Sequence, residues 1–94
     1  MGIFGDTINF DESFNKETII DLLKKHFEKE LIIEKESDTF FKLKILNYKG
    51  KGNGYIELFF SEDNDYTLEV ETSLDKMSMS LGVKIIDFLK KNIV

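Results

Sequence analysis

Glycines at 50, 52 and 54, with lysines at 49 and 51, make the densest cluster of chemistry-capable residues in this 94-residue chain. Clustered glycines expose backbone N–H groups, and two lysines could neutralise a phosphate. The pattern Gly50-x-Gly52-x-Gly54 nevertheless matches neither the dinucleotide fingerprint nor the P-loop, because no helix opens directly behind it. A kinase loop would also need its lysine on the next strand and a catalytic loop downstream. The cluster therefore reads as a six-residue hairpin turn. A second cluster, Glu62, Asp63 and Asp65 in "SEDND", offers oxygens to a hard cation. An EF-hand register from Asp63 puts Leu68 where glycine is required and Leu74 where the bidentate glutamate belongs, so that motif fails.

His26 is the one histidine, and it borders the apolar side of a helical stretch. Catalysis would need a nucleophile and an orienting carboxylate beside it. Zinc would need further nitrogen or sulfur ligands, and the chain has no cysteine. Glu69 and Glu71, two apart on a strand, share a face and could do acid–base work; the same spacing is that of a strand's wet side. No catalytic, metal-binding or cofactor-binding residue is assigned, and a non-enzymatic protein is expected.

Charge is distributed unevenly. The net charge is −5, and seven carboxylates with no lysine lie between Gly52 and the end of Asp75. Elsewhere acids and lysines nearly balance or lysines prevail. Such a field repels nucleic acid and attracts basic partners. Every basic residue is lysine, so the bidentate guanidinium fork is missing. The absence of cysteine excludes disulfides and fits a reducing compartment. No run approaches the roughly 18 consecutive apolar residues of a membrane span. The opening "MGIFGDTINF" lacks the basic-then-apolar order of a secretory signal, and Asp6 replaces the Ser or Thr of a myristoylation motif. A cytoplasmic protein without membrane association is expected.

The elements that must position these residues follow from periodicity. Ile19, Leu23 and Phe27 recur every four residues, predicting a helix over about 15–29, capped by Ser13 or Asn15. The period then becomes two: "LIIEKE", "FFKLKILNY", "YIELFF" and "YTLEVE" read as four strands joined by turns at 37–39, 49–54 and 61–65. None of these turns can hold a crossover helix, so the strands form an antiparallel meander. Alternation directs Leu31, Ile33, Leu43, Ile45, Ile56, Leu58, Phe60, Tyr66, Leu68 and Val70 inward, and sets Glu34 opposite Lys42. A second helix over about 75–92 has Met77, Leu81, Ile85, Phe88 and Leu89 on its apolar side. Ile8 and Phe10, with Ile3 and Phe4 nearby, make a leading strand or an ordered tail. The expectation is a single domain over 1–94, α+β in class. It is a two-layer sandwich with a four-stranded antiparallel sheet and two helices on one face, in the order (β)-α-β-β-β-β-α. This order resembles that of helix-grip and TATA-binding-protein-like folds, in its elements alone.

The same alternation puts Phe40, Leu46, Tyr48, Tyr55 and Phe59 on the outer sheet face, with Ile32, among Lys42, Lys44, Glu57, Glu69 and Glu71. Contiguous aromatic residues on a face without helices suit a protein interface. The expected function is thus a small acidic protein-binding module using Phe40, Leu46, Tyr48, Tyr55, Glu57, Phe59, Glu69 and Glu71. Its partner would be a basic protein or a second copy of the chain. Stacked nucleobases are disfavoured by the acidic surround. The alternative is a small hydrophobic-ligand carrier, with a cavity between sheet and C-terminal helix lined by Phe60, Leu68, Met77, Leu81 and Phe88.

Overall fold

A computed structural model describes residues 4–48, 54–63 and 65–94. The glycine-rich phosphate reading rests mainly on residues 49–53 and so lies outside the described residues. The chain forms β1 (Phe4–Asn9), α1 (Lys16–His26), β2 (Leu31–Lys35), β3 (Phe40–Ile45), β4 (Ile56–Phe60), β5 (Thr67–Thr72) and α2 (Lys76–Asn92). All strands pair antiparallel in one sheet, ordered β1-β5-β4-β3-β2. The α+β class holds. The sheet, however, has five strands: the leading segment is a full strand, and it pairs with the last strand rather than with its neighbour in sequence. α1 therefore carries the chain from the β1 edge to the β2 edge across the helical layer.

Register follows the period-two pattern, since one buried face permits only one phase. Leu31 pairs with Ile45, Ile33 with Leu43, Leu43 with Ile56, Phe41 with Leu58, Leu58 with Val70 and Phe60 with Leu68. Glu34 lies directly opposite Lys42 as expected, although its ion pair runs diagonally to Lys44 at 3.7 Å. These inward residues join Ile8, Ile19, Leu23, Phe27, Leu81, Ile85, Leu89 and Ile93 in one core. α2 lies against β1 and β5, and α1 against β2.

Each helix begins where a side chain satisfies its free N–H groups. Asn15 caps α1: its side chain accepts from the Thr18 N–H at 2.9 Å, and the Thr18 hydroxyl accepts from the Asn15 N–H at 3.0 Å. Ser13 instead bonds Asp11. Asp75 caps α2, accepting from the Ser78 N–H at 3.0 Å. Two glycines set the close approaches. A side chain at Gly5 would overlap the Val70 carbonyl oxygen, and one at Gly82 would lie 2.5 Å from the Thr72 methyl carbon. Asp6 and Lys90 (2.6 Å apart) tie β1 to the end of α2.

Among the described residues, two non-glycine residues with left-handed backbone interrupt the alternation. Asn47 has φ 59° and Tyr66 has φ 57°. β3 consequently ends at Ile45, and β5 starts only at Thr67. Tyr66, expected in the core, is 42% exposed and packs edge-on against Phe10 at 5.9 Å. Met77, expected on the buried side of α2, is 40% exposed, because the buried side of that helix is centred on Ser78, Gly82, Ile85 and Leu89 and leaves Met77 at its margin. Phe88 is half-buried against Phe27 and His26.

Candidate protein-binding face

With both helices on one side, the outward-pointing residues of all five strands form a surface that no described helix covers. Its layout follows from the register. One row runs Glu34, Lys42, Glu57, Glu71, Gly5 across β2, β3, β4, β5 and β1. The next runs Phe40, Phe59, Glu69, Thr7. Phe40 and Phe59 stack with centroids 4.8 Å apart and planes 5° from parallel, both half-buried. Tyr55, 37% exposed, sits just ahead of β4 and is bonded to Ser73 through backbone and side chain. Ile32, 50% exposed, lies on β2 opposite Lys44.

Six of the eight residues expected to bind a partner are therefore on or beside one face: Phe40, Tyr55, Glu57, Phe59, Glu69 and Glu71. Leu46 and Tyr48 are not. Their placement is corrected by the end of β3 at Ile45 and the left-handed turn at Asn47, which stop the alternation that would have carried them outward. The Leu46 N–H donates to the Glu30 carbonyl at 2.9 Å, drawing Leu46 to the helical side. Tyr48 packs beside Gly54 and Ser78 at the start of α2. Burial first, and then the neighbouring Asp75 carboxylate, pushes its phenol up from the ordinary value. Asparagine is the side chain that best tolerates a left-handed backbone, so Asn47 was the signal in the sequence that could have found this break.

Electrostatically the face is unbalanced. Glu57 and Glu71 are directly opposite one another, both half-buried. Like charges so placed in a sheet repel. Lys42 lies across from Glu57 on the other side, but among the described residues Glu57, Glu69 and Glu71 make no ion pair. A shallow hollow of about 400 Å³ lies between Thr7, Phe59, Thr67, Glu69 and Glu71. The contribution of β1 to this face (Gly5, Thr7, Asn9) was not legible locally, because only its distant partner β5 makes it a strand.

The remaining candidates are dispersed. His26 is exposed and stacks on Phe88, ring centres 4.2 Å apart. Asp65 accepts from the Thr67 hydroxyl at 2.5 Å, a bond that lowers its pKa. Among the described residues no group of three or more His, Asp or Glu is placed to hold a metal ion, and no helix is long and apolar enough to cross a membrane. Of the residues expected to line a carrier cavity, Phe60, Leu68 and Leu81 are packed into the core. Comparison with protein families, with curated proteins and with solved structures finds no match.

Proposed function

We propose that the protein is a non-enzymatic binding module whose outer sheet face receives a basic protein. One observation carries this reading: an open face on which the stacked Phe40–Phe59 pair adjoins three carboxylates that have no ion-pair partner among the described residues. The aromatic pair supplies a desolvated anchor. The carboxylates Glu57, Glu69 and Glu71 supply steering and orientation, which raise encounter rates with basic surfaces. Four glutamates against two lysines on the face leave it with a surplus of two negative charges. Two copies set face to face would oppose that surplus, so a basic partner fits better than self-association. A cytoplasmic setting belongs to the same proposal, since a chain without cysteine suits a reducing compartment.

The test is capture from lysate with wild type, Phe59→Lys and Glu69→Lys side by side. Phe59→Lys should lose the captured basic protein while circular dichroism is unchanged, because the lysine stem still covers Phe40. Glu69→Lys should weaken capture without altering the fold. A partner held equally by all three proteins would remove the face from consideration.

A further inference from the structure

On the opposite side of the sheet, an open cleft of about 700 Å³ lies between the α1–β2 turn, the end of β3 and the first half of α2. Its size is that of small-molecule sites. Ile45, Leu46, Met77 and Leu81 give it an apolar lining. The left-handed turn at Asn47 and the exposure of Met77, both departures from simple periodicity, are what create it. Three lysines, Lys29, Lys76 and Lys84, stand around the lining, all exposed and none in an ion pair among the described residues. Lys76, Ser80 and Lys84 follow one i, i+4, i+8 row of α2, alongside the Met77–Leu81 row, so a cationic ridge runs parallel to an apolar one. Two acids also line the cleft, Asp75, which caps α2, and the exposed Glu30, so three lysines face two carboxylates.

We infer that this cleft binds a single-chain amphipathic anion of the long-chain carboxylate class. The alkyl chain lies on Ile45, Leu46, Met77 and Leu81, and the carboxylate is held by the lysines. Charge complementarity selects the headgroup: three lysines against two carboxylates leave the cleft border with a positive surplus in a chain of net charge −5, and the Lys76–Lys84 ridge lies along its apolar floor. The site is independent of the proposed protein-binding face, since it lies on the helical side.

Amide chemical shifts recorded during titration with dodecanoate, and separately with dodecyltrimethylammonium, both below their micelle concentrations, test this directly. Dodecanoate should give saturable shifts at Ile45, Leu46, Met77 and Leu81, and the cation should bind roughly tenfold more weakly or not at all. The Lys76→Glu/Lys84→Glu variant should weaken dodecanoate by roughly tenfold or more, and Met77→Glu should do the same through the apolar lining. All three positions are exposed, so the fold should survive. The inference is overturned by the absence of saturable shifts, by equal binding of the cation, or by undiminished binding to both variants. Association with phosphatidylglycerol vesicles without binding of free dodecanoate would also overturn it, in favour of a membrane surface.

Discussion

Asp75 sits where two opposed physical effects meet. Burial pulls its pKa up, but bonds from the Ser73 hydroxyl and the Ser78 N–H, helped by the nearby Ser78 and Tyr48 hydroxyls, outweigh this, and the carboxyl lies at about 2 against an ordinary 3.8. The unfolded chain therefore takes up the proton first as pH falls. The stabilisation is complete above about 3.8 and is lost as pH drops through about 2. Asp75→Ala should cost about 1–2 kcal/mol near neutrality, and urea midpoints for variant and wild type should converge toward pH 2. The Glu57–Glu71 opposition leads to a different expectation. Glu71→Gln keeps the shape and removes the repulsion, so stability should rise by about 0.5 kcal/mol while partner capture weakens. Opposite movement of these two readouts is what a charge retained for binding produces; a fall in both would assign Glu71 a structural role.

Among the elements, β1 carries more of the architecture than its length suggests. It closes the β5 edge, covers part of the core with Ile8 (1% exposed), and extends the outer face with Thr7. Its docking depends on the bare backbone of Gly5 against the Val70 carbonyl. Gly5→Val should destabilise the protein by about 1–3 kcal/mol and speed hydrogen exchange at β1 and β5 amides ahead of β2 and β3. Uniform acceleration through the sheet would instead show that β1 and the rest unfold together. The helices differ in dependence: α2 is seated on β5 through Gly82 and Thr72, whereas α1 spans from one sheet edge to the other.

For the molecule as a whole, the net charge of −5 and the acidic surplus on the outer face predict that capture of the proposed partner is salt-dependent. Raising sodium chloride from about 0.05 to 0.5 M should slow association more than it speeds dissociation, since steering is screened beyond roughly 4–14 Å at those strengths; surface plasmon resonance separates the two rates. Much of this architecture was legible in residue order. Strict alternation in 31–45, 56–60 and 68–70 with one buried face leaves a single register, which is why the Glu34–Lys42 pairing and the inward set could be read without coordinates. A four-residue period found both helices and Asn15 the start of the first, although α1 stops at His26, short of the expected 29. Three things required the tertiary structure. β1 becomes a strand only through β5, about 60 positions away in sequence. Leu46, Tyr48 and Tyr66 leave the pattern because single left-handed residues reset its phase. The outer face is left uncovered by helices because both settle on one side of the sheet, and the cleft beside Met77 exists because α2 buries its Ser78–Gly82–Ile85 side instead; which surface remains uncovered is a property of packing, and no local pattern encodes it.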